Sequence, residues 1–113
     1  MKPVFLLQHV YLGGNSIELV SSDVELVVSR TINLAHNLRQ FDFDVERAMP
    51  FNRGFSDAEL RKRMRSEFGP LPKSFCEILV FNNDTGNLVD RIIADNRISN
   101  PELTRRLNSY KFK

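Results

Sequence analysis

The chain has no tryptophan, one cysteine, two histidines and only five each of glycine and proline in 113 residues. Each scarcity excludes something. A single cysteine, Cys76, permits no internal disulfide and no paired-cysteine zinc site, so a reducing, cytoplasmic setting is expected. No apolar run approaches the roughly 20 residues that a membrane-spanning helix requires. The opening stretch through His9 carries an apolar run too short for a signal peptide and lacks a small-residue cleavage site. The motifs of the phosphate-binding loop, the serine-hydrolase elbow, the helical zinc protease and the dinucleotide fold are all missing. No cofactor is expected on these grounds.

What is present is the composition of an ordinary globular domain, with 42% apolar and 27% charged residues. Nine phenylalanines supply the bulk of the core. The length predicts a single domain over residues 1–113, large enough to bury a core without staples. The net charge of +2 is small but unevenly spread along the chain. Residues 1–46 carry three basic and six acidic side chains, and residues 47–113 carry thirteen and eight. Such asymmetry predicts an electrically two-faced molecule.

Val4 to Leu12 is apolar on both alternating sets, the pattern of a central strand covered on both sides. Gly13-Gly14-Asn15 is a turn signal, and a second strand from Ser16 to Val20 completes a hairpin. Ser22-Asp23-Val24-Glu25 reads as a capping box opening a helix that extends to about Leu38. At about 100° per residue, Val24, Val27, Val28, Thr31, Ala35 and Leu38 share one face of that helix. Phe41 to Val45 alternates strictly. It predicts a half-buried strand with Phe41, Phe43 and Val45 inward and Asp42, Asp44 and Glu46 outward. Pro50 and Gly54 then interrupt regular structure. Ser56-Asp57-Ala58-Glu59 is a second capping box, with Leu60, Met64 and Phe68 as the apolar stripe of its helix and Gly69-Pro70 as the stop. Phe75–Phe81 and Leu88–Ala94 form a second hairpin, and Asn100-Pro101 opens a last helix striped by Leu103, Leu107 and Tyr110. The order ββα-β-αββα predicts an α+β fold: a mostly antiparallel sheet of about five strands, two hairpins plus one further strand, with three helices packed on it.

Three groups of residues are candidates for function. Met49 and Phe51 flank a proline on an irregular connection bracketed by Arg47 and Arg53, the composition of an interface centre. This points to a small protein-binding module, an inhibitor, adaptor or immunity-type partner that acts by interaction rather than catalysis. Its partner would be another protein, with no membrane, and self-association is left open. The bland alternative makes Phe51 a plug at the end of the core.

The second group is basic. Arg61, Lys62, Arg63 and Arg65 crowd one short helix. Asp57 and Glu59 stand one turn before Arg61 and Arg63, and Glu67 one turn after Arg63, so only Lys62 and Arg65 lack a local acid. Together with Arg105, Arg106 and Lys111 they could form a nucleic-acid-binding surface, Tyr110 and Phe112 alternating with lysines as stacking platforms. Otherwise they are a solvated helix face and a tail that complements the last helix dipole.

The third group is acidic. Asp42, Asp44 and Glu46 on one strand face could share a hard divalent cation in a metal-dependent hydrolase, or simply protect an edge strand from pairing. Elsewhere, His36 falls on a polar helix face. His9 reads as a buried, hydrogen-bonded histidine, with a general base as the alternative. A cross-strand pair is expected between Glu77 and Asp90 or Arg91, and Cys76 reads as core.

Overall fold

The computed structural model describes residues 1–11, 13–68, 75–94 and 98–112, with residues 67 and 68 described by backbone only. It is an α+β domain in which β1 (Pro3–Tyr11) and β2 (Gly14–Ser21) form a hairpin, followed by helices α1 (Val24–Arg47) and α2 (Asp57–Phe68). A second hairpin, β3 (Phe75–Asn82) and β4 (Leu88–Ala94), leads to α3 (Asn100–Ser109). Short 3-10 turns lie at Pro50–Asn52 and Tyr110–Phe112.

The four strands make one antiparallel sheet in the order β2-β1-β3-β4. Each half of the chain is thus a hairpin followed by helix, and the halves meet through β1 and β3. The likeness extends to detail. The first hairpin is bulged between Leu7 and Gln8 and the second between Val80 and Phe81. Each turn carries a glycine at positive φ, Gly13 at 94° and Gly86 at 75°, where a side chain would strain the backbone.

One face of the sheet carries the core. Phe5 and Leu7 from β1, Cys76, Ile78 and Val80 from β3, and Ile92 and Ala94 from β4 pack against Val24, Val27, Val28 and Ala35 of α1 and Leu103 and Leu107 of α3. Thr31 is accepted in this apolar setting because its hydroxyl donates to the Val27 carbonyl at 2.7 Å. The helices that pack on the sheet lie on that single face. A smallest extent of 19 Å fits two layers of about 10 Å each.

The expected strand at Phe41–Val45 does not form. It is the last part of α1, so the sheet has four strands rather than five, and the order is ββααββα. The physical reason is continuity. No glycine or proline interrupts residues 24–47, and five alternating residues cannot outweigh a helix already propagating. Gln40 Nε2 donates to Asp44 Oδ1 at 3.0 Å across one turn of this segment. The helical path also redistributes the apolar side chains. Phe43 is buried, while Phe41 and Val45, one turn apart on another side, are exposed.

The extended α1 carries a second, smaller core. Leu38, Phe43 and Leu60 are buried outside the main cluster, where α2 packs on α1. The Arg61 guanidinium lies 3.9 Å from the centre of the Phe43 ring. This arm explains a radius of gyration of 16.2 Å, above the ~13 Å expected for a compact chain of this size.

Caps fall one residue away from expectation at two helices. Asp23 rather than Ser22 caps α1, accepting from the Leu26 amide at 3.3 Å, and Ser99 rather than Asn100 caps α3. The α2 box is where the sequence placed it: Ser56 Oγ accepts from the Glu59 amide at 3.2 Å and lies 2.9 Å from Glu59 Oε1. The Gly69-Pro70 stop and the side chains of Glu67 and Phe68 lie outside the described residues.

Helical and extended arrangements of Phe41–Val45 predict different mutational costs. Phe43→Ala is expected to cost about 3 kcal/mol in urea denaturation, and Phe41→Ala less than about 0.5 kcal/mol. A strand would bury both rings on one face and make the two losses comparable.

Candidate functional site

The connection between α1 and α2 is a turn built on polar anchors. Asn52 is buried, and its Nδ2 donates to the Glu46 carbonyl at 2.7 Å and lies 3.3 Å from the Glu46 carboxylate. Arg47 donates from Nη1 to the Phe55 carbonyl at 2.7 Å and its Nε lies 3.4 Å from Asp57. Backbone bonds from Asn52, Arg53 and Phe55 back to Met49, Pro50 and Asn52 close the loop on itself. The Arg63 guanidinium stands 4.9 Å from the Phe55 ring centre. Arg47 is therefore occupied in holding the turn, and Arg53 projects at the surface.

This frame leaves the apolar residues at the turn outside. Phe51 is 69% exposed and Met49 37%. Phe51 does not plug the core; Asn52 takes the buried position beside it. On the adjoining part of α1, Phe41 is 62% exposed and Val45 is exposed with it. Phe41, Val45, Met49 and Phe51 thus all expose apolar surface at one end of the arm. Sequence reasoning found Met49 and Phe51 but assigned Phe41 and Val45 to the core, because it placed them on a strand.

The basic residues are divided among separate elements. Lys62 and Arg65 are on α2, which packs along the second half of α1. The Arg61 guanidinium marks its level by approaching Gln40 Oε1 at 3.4 Å. Arg105 and Arg106 are on α3, which packs over the sheet beside α1. Lys111 lines an open groove with Lys2 and Ser22, at the start of α1. The helix axis between Val24 and Gln40 spans about 24 Å. The expected Asp57–Arg61 step of the acid–base ladder is rearranged, since Asp57 pairs with Arg47 and Arg61 stands over Phe43. Tyr110 is buried and its hydroxyl donates to the Asp90 carboxylate, so it is unavailable for stacking on a base. Phe112 is exposed and does not enter the core.

The acidic residues are not on a strand face. On a helix, Asp42 and Asp44 point about 200° apart, leaving Asp42 and Glu46 on one side and Asp44 on another. Among the described residues, no group of three histidine, cysteine, aspartate or glutamate side chains could hold a metal ion.

The outer face of the sheet carries a feature that the sequence did not reveal. Asn15 Nδ2 donates to Gln8 Oε1 at 2.6 Å, and Gln8 Nε2 donates to Glu77 Oε1 at 2.7 Å. Arg91 Nε stands 3.5 Å from Glu77 Oε2. One polar row therefore crosses all four strands. Gln8 and Glu77 are only 9% and 6% exposed, although no helix among the described residues packs on that face. The Glu77–Arg91 pair is the cross-strand contact expected from sequence, on a diagonal, since Glu77 stands opposite Ile93. No single residue type announced the row, because its partners depend on strand order.

On the core face, His9 Nε2 is buried with no hydrogen-bond partner among the described residues, in place of the expected bonded histidine; its ring packs 5.2 Å from that of Tyr11. Cys76 is fully buried, with its Sγ 3.7 Å and 3.9 Å from the Ala94 and Thr31 carbonyls. Burial pushes its thiol up to about 11. Among the described residues, no helix is long and apolar enough to cross a membrane. No protein-family model matches the chain, and no curated protein or solved structure shows significant similarity to it. The geometry alone carries the functional reading.

Cys76 and Tyr110 make alkaline stability a test of the packing. Burial first, and then the bond to Asp90, raise Tyr110 from 10.0 to about 12, and burial raises Cys76 from 9.0 to about 11. The unfolded chain releases both protons at lower pH than the folded one, so stability is fully present below pH 9 and declines as pH rises toward 12. Urea denaturation across this range should show the decline, and Tyr110→Phe should remove its upper part.

Proposed function

We propose that the chain is a protein-binding module of the inhibitor, adaptor or immunity-partner kind, with the end of the arm as its contact surface. The observation that carries this reading is Phe51, 69% exposed on a turn fastened by buried Asn52 and by Arg47. Leaving a phenylalanine in water forgoes roughly 1.5–3 kcal/mol of burial. The turn nevertheless places a polar side chain in the interior and the aromatic one outside. Methionine, phenylalanine and arginine are the residues that fill the centres of protein interfaces, and a turn already fixed loses little entropy on docking. Phe41 and Val45 widen the apolar surface, and exposed Arg53 supplies a charged rim.

The alternative of nucleic-acid binding through Lys62, Arg65, Arg105, Arg106 and Lys111 is the weaker reading. Cations divided between α2, α3 and the groove at Lys111 engage fewer phosphates at once than a single element lined with them would. The metal-hydrolase alternative loses the shared strand face that motivated it.

The test is affinity capture from the native host with wild-type and variant chains, quantified by mass spectrometry. Met49→Ala and Phe51→Ala should each weaken capture of a specific protein by about 2 kcal/mol, roughly thirtyfold, with the melting temperature unchanged. Asn52→Ala should lower stability by about 1–3 kcal/mol and weaken capture with it, since it frees the turn. Capture of the same proteins at the same level by the Met49 and Phe51 variants would overturn the proposal.

A further inference from the structure

The arm uses only one part of the molecule's exposed apolar surface. β1 is apolar on both alternating sets, yet among the described residues helices pack on only one face of its sheet. A strand of that composition belongs to a sheet covered on both sides. The outer face presents Ile17 at 63% exposure and Val20 from β2, and Leu88 and Ile93 from β4. Partly buried Leu6 and Leu79 stand opposite one another between them. The sequence supplies the second apolar layer, and the single chain does not use it.

We infer that this face is covered by a second copy of the chain, packed sheet on sheet about a two-fold axis. Four observations select that occupant. The first is area. Four strands of about seven residues cover roughly 450 Å² in plan, before side-chain relief is added. A standard interface takes about 800 Å² of accessible surface from each partner, so pleat and side chains bring this face into the range of a stable dimer. The second is charge. Glu77 of β3 and Arg91 of edge strand β4 are paired 3.5 Å apart, so the pair brings no net charge to the face and two copies meet without net repulsion from it. Arg91 remains exposed, with guanidinium donors that can reach across the interface.

The third is layering. Two sheets stack about 10 Å apart through inward side chains, and the outward residues of the two edge strands include Ile17, Val20, Leu88 and Ile93 beside Asn15 and Arg91. The fourth concerns the edges. Both edge strands carry the bulged residue of their hairpin, Glu18 in β2 and Val89 in β4. Bulges and charges on edges oppose strand-to-strand addition. Association through the face remains.

Sedimentation equilibrium of the whole chain, from micromolar to millimolar concentration, tests this. The wild type should approach twice its 13.1 kDa mass. Ile17→Lys and Ile93→Lys, on exposed positions of different strands, should each sediment as monomers while melting cooperatively. Phe51→Asp, on the arm, should still dimerise, which separates this interface from the proposed partner surface. If a lysine variant does not fold, wild-type amide shifts on dilution decide the matter. They should change at outer-face residues such as Leu6, Leu79 and Ile93 and stay fixed on the arm. A wild type that remains monomeric throughout would overturn the inference. So would dimers that persist in both lysine variants, dilution shifts confined to the arm, or a monomer whose outer face binds phosphatidylcholine vesicles instead.

Discussion

Twenty-four residues of α1, from Val24 to Arg47, hold two separate apolar cores at a fixed spacing. Its first half buries Val24, Val27, Val28 and Ala35 against the sheet, and its second half places Leu38 and Phe43 against α2. The helix backbone, uninterrupted by glycine or proline, transmits position from the sheet to the arm. The polar anchors of the turn, the exposure of Phe51 and the distance between the basic residues of α2 and the groove at Lys111 all follow from that continuity.

Much of this was legible from local chemistry. Both hairpins followed from apolar runs around turn residues, and the α2 cap stands where Ser56 and Glu59 put it. β1 was recognisable as central because both its faces are apolar. The misreading of Phe41–Val45 has a definite physical cause. Alternation over five residues fits a strand, but it fits equally a helix that is packed on one side and bare on another. Only α2, whose Arg61 lies over the Phe43 ring from a later part of the chain, decides which side Phe43 takes. Phe41 and Val45 were lost from the candidate surface through that same choice. Met49 and Phe51 were found because a proline between them left no regular element to absorb them. Of the row from Asn15 to Arg91 only the Glu77–Arg91 step was legible, within one hairpin; the rest depends on strand order.

Exposed apolar side chains fall in two places on the molecule. Phe41, Val45, Met49 and Phe51 lie along the arm and its turn, and Ile17, Val20, Leu88 and Ile93 lie on the sheet. As proposed contact surfaces they differ in kind: an aromatic anchor suits a pocket on an unlike partner, and a sheet face suits its own image. The hairpin–helix repeat, with the halves joined through β1 and β3, gives the sheet an approximate two-fold character of its own.

The row of Asn15, Gln8, Glu77 and Arg91 has a consequence for how the chain reaches this sheet. A strand with apolar residues on both faces can pair one residue out of step and still bury hydrocarbon, so hydrophobicity alone leaves the register of β1 against β3 weakly specified. Such a slip would carry Gln8 or Glu77 to the helix-covered face. There a carboxylate without Gln8 and Arg91 beside it would face the desolvation penalty of an isolated buried charge, several kcal/mol. Only the observed pairing, with Gln8 opposite Glu77, satisfies all four side chains together. The row thus favours the observed register of β1 against β3 over one-residue slips that the aliphatic residues around it would tolerate.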